Sequence, residues 1–190
     1  MMTSAMLEQR IQQQFFEAAD LLSQAAQGLA RPVADAVQAL TVCVTSGGKV
    51  LVAGSDVGAG LAPVLVATLT GRFERDRPPL AALALRDDSL QSLMQQVRAL
   101  GQPGDLLLLL DAGADGQRLR EAAGAARALD MTVVALTGPE AGEWAGLLTD
   151  TDVLLTVPHD RPARVAEAHL VVLHALCDAV DLQLMGELDS

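Results

Sequence analysis

Apolar residues recur at spacings of three and four along residues 1–47, which is the pattern of amphipathic helices. The first stripe consists of Leu7, Ile11, Phe15, Ala18, Leu22, Ala25 and Leu29. It predicts a helix that ends near Gly28 or Leu29. Pro32 suits the first turn of a second helix, and the glycine pair at 47–48 stops that helix. We therefore predict two helices ahead of the first strand.

Short aliphatic runs alternate with helical patterns through the middle of the chain. The candidate strands are residues 50–53, 80–85, 106–110, 132–136 and 153–157. The candidate helices between them are residues 61–70, 88–100, 116–129 and 142–148. Strands that read as continuous apolar runs are buried on both faces, which is typical of a parallel sheet between two helical layers. The pattern predicts an α/β fold, a three-layer αβα sandwich around a five-stranded parallel sheet.

The last helix is predicted over residues 161–184 and is apolar on nearly all sides through its middle. A helix of this kind is buried on two sides, and we expect the second side to contact another subunit. Together with the stripe on the first helix, this predicts a homotetramer with a helical bundle at its centre. The single domain 1–190 then divides into N-terminal helices in 1–47, a sheet core in 48–160, and a C-terminal helix and tail in 161–190.

The composition restricts the class of protein. With 190 residues, 51% of them hydrophobic and 19% charged, the chain is long enough for one well-filled domain. The net charge of −11, from 24 acidic and 13 basic residues, disfavours binding to a nucleic-acid backbone or an anionic membrane. The apolar runs are too short to cross a bilayer, and no signal-peptide pattern is visible. We expect a cytoplasmic protein in which Cys43 and Cys177, without a CxxC motif, are buried thiols.

A glycine-rich turn follows the first strand, at Gly54, Ser55, Asp56 and Gly58. A strand, a glycine-rich loop and a helix in this order often frame a phosphate site, because backbone N–H groups at the helix start converge on an anion. The spacing differs from the GxGxxG fingerprint of dinucleotide-binding proteins, so we predict no such cofactor. Asp56 also places a carboxylate where a phosphate needs a hydrogen-bond donor.

A second loop of small residues ends the third strand, at Asp111, Ala112, Gly113, Asp115 and Gly116. The carboxyl ends of neighbouring parallel strands flank the crevice in which α/β sheets bind ligands. We expect aspartates to cap the helices that follow, Asp56 after the first loop and Asp111 or Asp115 after the second. The crevice should then hold no anion.

The three histidines are His159, His169 and His174, and they show neither HxH nor HxxxH spacing. We therefore predict no metal site built from this chain alone. His174 is interpreted as a packed residue of the last helix. Ser46 and Ser55 lack the GxSxG context of a hydrolase nucleophile.

Several longer segments together resemble the sugar isomerase (SIS) domain family. They are residues 48–51, 72–78, 96–101, 104–108, 130–138, 163–169 and 176–181. The resemblance covers nearly the whole chain and extends to two groups, the phosphoheptose isomerases and, more closely, the DnaA initiator-associating proteins (DiaA). It implies the SIS fold, with a sheet of flavodoxin-like strand order preceded by N-terminal helices. For the second group it also implies a homotetramer that binds the replication initiator protein.

The resemblance also locates positions at which this chain departs from the isomerases. An asparagine of the first loop is replaced by Ser55, the catalytic glutamate falls on Thr68, and a metal-ligand histidine falls on Val64. Of these site residues only a histidine of the last helix is retained, as His169. Residues 61–70 contain no ionisable side chain, whereas an aldose–ketose isomerisation needs a positioned base.

These departures favour a non-catalytic adaptor that resembles DiaA, needs no cofactor, and gathers the replication initiator at an origin as a homotetramer. The resemblance places the initiator contact at Leu184 and Met185. Two alternatives remain, an isomerase of the phosphoheptose type acting on sedoheptulose 7-phosphate and a regulator that binds a sugar phosphate without converting it. The carboxylates of Asp56, Asp111 and Asp115 disfavour a sugar-phosphate ligand in both.

Overall fold

The computed structural model describes residues 3–87, 92–113, 116–139 and 141–186. Its elements in chain order are α1 Ser4–Thr45, β1 Val50–Gly54, α2 Asp56–Thr70, β2 Ala82–Ala84, α3 Leu93–Leu100, β3 Leu106–Asp111, α4 Gln117–Arg127, β4 Thr132–Thr137, α5 Gly142–Ala145, β5 Val153–Thr156 and α6 Pro162–Met185. All five predicted strands are present, with ends shifted by at most two residues. Of the predicted helices, α2 begins five residues earlier, at Asp56, and α5 ends at Ala145 instead of residue 148.

The five strands form one parallel sheet in the order β2-β1-β3-β4-β5. This confirms the predicted αβα fold with flavodoxin-like order. The chain leaves β1 for β2 on one side of the sheet and then returns to β3 on the other side, so the order reverses between β1 and β3. In such sheets the reversal opens a crevice at the carboxyl ends of the strands, which is where ligands bind.

Two apolar layers cover the sheet. Successive side chains of a strand point to opposite faces, so Leu108 of β3 packs in one layer and Leu107 in the other. The first layer is formed with α1, α2 and α6, and the second with α3, α4 and α5. The central strands β1 and β3 are buried throughout, which explains why they read as continuous apolar runs.

One continuous helix, α1, replaces the two helices predicted in residues 1–47. Pro32 lies inside it. A proline inside a helix removes one backbone hydrogen bond, and its ring crowds the carbonyl group four positions earlier, which here belongs to Gly28. Leu29 and Ala36 are buried on either side of the proline, so packing against the rest of the domain holds the helix together.

The first half of α1 carries an apolar surface that the described part of the chain leaves uncovered. Met6, Leu7, Ile11, Phe15 and Phe16 are each at least half exposed, and Phe15 reaches 72%. In the second half of α1, by contrast, one side of the helix is buried in the core, with its buried residues running from Leu21 to Cys43. None of the helices in the described ranges combines the length and apolar character needed to span a bilayer.

Candidate functional site

Two glycines shape the turn between β1 and α2. A Cβ atom added at Gly54 would lie 2.3 Å from the backbone of Gly58, and one added at Gly58 would lie 2.3 Å from the carbonyl oxygen of Leu110. Both distances are far below van der Waals contact. The Gly54 and Gly58 spacing therefore serves the close approach of α2 to the end of β3, and it brings the first turn of α2 to the crevice.

Asp56 does not cap α2 as we expected. It is the first residue of the helix, is exposed, and has a φ of +46°, in the left-handed region. The N-cap position is taken by Ser55, whose side chain makes no capping hydrogen bond. The prediction was wrong because the tight β1–α2 turn starts the helix five residues earlier than the apolar pattern indicates. Aspartate suits this position because its short side chain tolerates a positive φ.

Asp111 is buried at the end of β3 and does not cap α4 either. Its Oδ1 accepts a hydrogen bond from the backbone N–H of Gly113 at 3.1 Å, and its Oδ2 accepts one from the Trp144 indole at 3.0 Å. Gly116 is the N-cap of α4, and no side chain caps it in the described residues. A Cβ at Gly116 would lie 2.1 Å from Asp111 Oδ2, so the carboxylate fills the space in front of α4. Asp115 lies outside the described residues.

Two cavities open along the carboxyl edge of the sheet. The first, which we call the β3–β4 cavity, has a volume of about 540 Å³, and among the described residues its charged lining is Asp111, Arg120, Glu143 and Asp160. Arg120 is paired with Glu143 at 2.8 Å. Ala112, Gly113 and Gly116 also line this cavity, so every described residue of the predicted second loop belongs to it.

The second, which we call the β1–β2 cavity, has a volume of about 660 Å³. Gly54, Ser55 and Asp56 of the predicted first loop line it, whereas Gly58, in the first turn of α2, packs against Leu110 of β3. Three further described residues of its lining are charged, two from the loop after β2 and one from α4, and sequence reasoning selected none of them as a ligand contact. They are Arg86 and Asp87, together with Arg118 of α4.

His169 is completely buried on α6, beneath the β3–β4 cavity. Its Nε2 lies 3.4 Å from the carbonyl oxygen of Thr137, while its Nδ1 is buried without a hydrogen-bond partner. Burial lowers the pKa of His169 to about 4, although the Thr137 carbonyl and the Asp111 carboxylate act in the opposite direction. His169 is therefore neutral at pH 7, and in this structure it has no open path to a ligand.

Thr68, where the family resemblance places the catalytic glutamate, faces α6. Its hydroxyl lies 3.2 Å from Cys177 Sγ, and burial raises the pKa of the Cys177 thiol. His174 lies one turn before Cys177, is exposed, and contacts Phe73 in a tilted arrangement with 5.3 Å between ring centroids. His174 is thus a surface residue and not the packed residue that we predicted. The pairing of positions 68 and 177 could not be read from the sequence because it depends on how α2 and α6 dock.

The described residues of this region contain no cluster of metal-binding side chains. Val64 is apolar and 39% exposed where the family resemblance places a metal-ligand histidine. Among the described residues, no group of three or more histidine, cysteine, aspartate or glutamate side chains is arranged to hold a metal ion. We therefore derive no step that uses a metal.

The end of α6 carries the pair that we predicted as a partner contact. Leu184 is half-buried and packs against the first apolar layer, whereas Met185 is 49% exposed. Just ahead of the pair, Asp181 forms a fully buried ion pair with Arg77. Arg77 also donates to the carbonyl oxygens of Thr68 and Leu69, so the loop after α2 is anchored on α6.

The fold and the loops together define a sugar isomerase domain. A family model described as the SIS domain matches residues 14–138, and this chain therefore belongs to the SIS domain family. The chain is 48% identical to a phosphoheptose isomerase from Methylibium petroleiphilum, covering 97% of this chain and 98% of that protein. It is 41% identical to a phosphoheptose isomerase from Aromatoleum aromaticum, covering 95% of this chain and 98% of that protein.

Solved structures give the same result. Phosphoheptose isomerase GmhA from Neisseria gonorrhoeae is 35% identical, with a TM-score of 0.82 over 92% of this chain and 98% of that chain. A phosphoheptose isomerase from Francisella tularensis is 32% identical, with a TM-score of 0.85 over 95% of this chain and 99% of that chain. The prediction of a non-catalytic, DiaA-like adaptor for the replication initiator is contradicted by these similarities. That prediction gave a few changed loop residues more weight than the similarity of the remaining chain to phosphoheptose isomerases.

Proposed function

We propose that this chain is a sugar-phosphate isomerase of the phosphoheptose isomerase type, acting on sedoheptulose 7-phosphate or a close relative. The observation that carries the proposal is the 48% identity over nearly the full length of both chains with a phosphoheptose isomerase. The crevice at the carboxyl edge of the sheet supplies the site, because parallel α/β sheets bind ligands there. The β1–β2 cavity has room for a seven-carbon sugar phosphate, since small-molecule pockets have volumes of about 300 to 1,000 Å³.

An isomerisation of this kind moves a proton between neighbouring carbons, so it needs a general base within hydrogen-bond reach. Thr68 cannot act in this way. Cys177 beside it remains a thiol, because burial raises its pKa. His174, one turn away on α6, is exposed, and histidine is the residue used most often for proton transfer. We assign the proton transfer to His174.

The distance between His174 and the crevice requires a second copy of the chain. Both Thr68 and His174 lie twelve residues beyond the start of their helices, Asp56 and Pro162, which is about 18 Å along each axis. Both helices start at the carboxyl edge of the sheet. We therefore propose that the base of one copy serves the crevice of another copy, and that the active form is a homo-oligomer.

Exposed apolar residues support this assembly. Val64 on α2 and Val171 on α6 flank the Thr68 region and are 39% and 47% exposed. The uncovered stripe on the first half of α1 adds a longer apolar surface. Surfaces of this kind are typical of subunit contacts, and a homotetramer with the α1 and α6 helices at its centre buries them.

A second candidate function is a regulator that binds a sugar phosphate without converting it. The observation that favours it is Thr68, which puts a neutral hydroxyl at the position of the family's catalytic glutamate. Loss of a positioned base lowers the rate by about two to four orders of magnitude.

One experiment separates the two functions. Sedoheptulose 7-phosphate is titrated into the protein by calorimetry, and the formation of the aldose is followed in the same samples by NMR. Binding with conversion that His174→Asn abolishes supports the isomerase. Binding without conversion supports the regulator. Absence of both contradicts both functions.

A further inference from the structure

The loop between α2 and β2, residues 71–79, is anchored on α6 by one buried arginine. The Arg77 side chain is 1% exposed and forms an ion pair with Asp181 of α6. It also donates to the carbonyl oxygens of Thr68 and Leu69, each at 2.8 Å, which are among the last carbonyls of α2. Moving the loop away from α6 would leave the buried Asp181 carboxylate without its partner, which is strongly unfavourable.

A second arginine ties the same loop to the end of α6. Arg75 Nη1 donates to the carbonyl oxygen of Gly186 at 2.9 Å. Gly186 is the C-cap of α6, where a helix leaves its carbonyl groups without internal partners. Arg75 and Arg77 thus attach the loop at two points along the last turns of α6. Phe73, two residues before Arg75, belongs to this fixed segment.

The Phe73 ring contacts His174 from this position. The ring centroids are 5.3 Å apart and the ring planes are inclined by 34°, a separation at which aromatic pairs attract each other. Phe73 is half-buried and packs against the first apolar layer, whereas His174 is exposed. None of the hydrogen bonds among the described residues holds the His174 imidazole. Packing against Phe73 therefore limits the rotation of this surface side chain.

The polar side chains near His174 on α2 and α6 do not orient it. The Thr68 hydroxyl lies 3.2 Å from Cys177 Sγ and donates to the carbonyl oxygen of Leu65 at 2.7 Å, so it is already engaged. Asp178, four residues after His174 on the same helix, is exposed and forms no hydrogen bond with it in the described part of the chain. The aromatic contact is thus the interaction that can set the direction of the imidazole.

We propose that Phe73 is a positioning residue, which holds the His174 imidazole in the orientation that proton transfer requires. The catalytic part of this inference rests on the proposed function, in which His174 is the base. The positioning itself rests on the ring contact and on the two anchors of the loop, and it can be measured without a substrate. Orientation matters because a displacement of about 1 Å at a catalytic group can lower the rate about a hundredfold.

Nuclear magnetic resonance of the full-length protein with ¹³C-labelled histidine tests the contact. The chain has three histidines, and His174→Asn identifies the His174 signal by its loss. An aromatic ring shifts the resonances of protons close to it, so Phe73→Leu should move the His174 signal and leave those of His159 and His169 in place. Phe73→Tyr is the matched control, because it keeps the ring and should keep the His174 signal close to its position in the parent protein.

Kinetics with sedoheptulose 7-phosphate test the role in the reaction. Phe73→Leu should lower kcat by about tenfold, because a misplaced base transfers protons less efficiently, and should change KM by less than about twofold, because the ring acts through His174. Phe73→Tyr should restore kcat to the value of the parent protein. Asp178→Asn tests the competing account, in which a carboxylate on α6 orients the imidazole, and it should leave kcat unchanged.

An unchanged His174 signal in Phe73→Leu overturns the proposal, whatever the activity. A shifted signal with unchanged kcat also overturns it, and so does a change confined to KM, which indicates a substrate contact. The same holds for a loss of kcat in Asp178→Asn that Phe73→Leu does not show. If the parent protein does not convert the sugar phosphate, the isomerase is wrong, and the histidine signals alone decide whether Phe73 orients His174.

Discussion

At the scale of single residues, the loops of this site are determined by close approach and burial. Gly58 allows the backbone of α2 to touch the end of β3, and Asp111 turns its carboxylate inward to Trp144. His169 is buried as a neutral imidazole beneath the same edge of the sheet. None of these three residues has to contact a ligand in order to shape the crevice.

Gly58→Ala should destabilise the protein by about 2 to 4 kcal/mol, because the new Cβ would lie 2.3 Å from the Leu110 carbonyl oxygen and backbone must shift. Urea denaturation measures the free energy of unfolding. Gly60→Ala is the matched control in the same helix, since a Cβ there meets nothing within 4 Å. It should be neutral or stabilising by up to about 1 kcal/mol. Equal stability of the two variants would contradict this account of the turn.

His169 should make folding sensitive to acid. Its pKa is about 4 when folded and about 6.5 when unfolded, so the unfolded chain binds a proton first as the pH falls. The free energy of unfolding should therefore drop by about 3 kcal/mol between pH 6.5 and pH 4. Denaturation of the parent and of His169→Gln across this range measures the effect. The variant should show a smaller drop, whereas His174→Asn, at an exposed position, should keep it; a parallel decline in all three would refute the assignment.

At the scale of elements, α1 shows how packing overrides a local signal. Pro32 is a helix breaker in the sequence, yet α1 continues on both sides of it because both flanking turns are buried against the same core. Docking of α2 on α6 similarly decides what surrounds Thr68. It places the hydroxyl against Cys177 and leaves His174 on the surface.

Pro32→Ala should stabilise α1 by about 1 to 3 kcal/mol, because it restores a backbone donor and removes the crowding of Gly28. Thermal unfolding followed by circular dichroism measures the change. Pro158→Ala, in the loop before α6, restores no helical hydrogen bond and serves as the control. A lower melting temperature for Pro32→Ala would show that the proline is favourable in this helix.

At the scale of the whole molecule, the apolar half of α1 and the distance from His174 to the crevice both point to assembly. Ile11→Asp combined with Phe15→Asp should dissociate the oligomer, because each charge enters a surface that we assign to subunit contacts. Light scattering at micromolar concentration gives the mass. Gln13→Asp, on the opposite side of the same helix from Ile11 and Phe15, is the control. A parent protein that is monomeric contradicts the assembly.

Mixing two inactive variants tests the shared site directly. His174→Asn removes the base, and Ala59→Trp fills the β1–β2 cavity. Each alone should be inactive with sedoheptulose 7-phosphate. Hybrids formed by mixing them should regain part of the activity, because they contain some pairs of an intact crevice and an intact base. Mixtures that stay inactive, although both variants still assemble, would place base and crevice in one chain.

The sequence by itself determined the layers of the fold and the positions of its loops. Continuous apolar runs with the length of strands, separated by helical periods, are enough to specify a parallel sheet, and turn residues mark its ends. The two loops predicted at residues 54–58 and 111–116 lie at the carboxyl edge of the sheet in the described residues. Local chemistry is sufficient for these features because each depends on neighbours within a few positions.

Only the tertiary structure decided what the loop residues do. The roles of Asp56 and Asp111 depend on a backbone angle and on an indole 33 positions away, and the pairing of Thr68 with Cys177 spans 109 positions. Arg86 and Arg118 become neighbours of one cavity because β2 packs beside β1 and α4 follows β3. Contacts between residues so far apart in sequence form when helices dock on the sheet. The hydrophobic periodicity of the sequence does not indicate them.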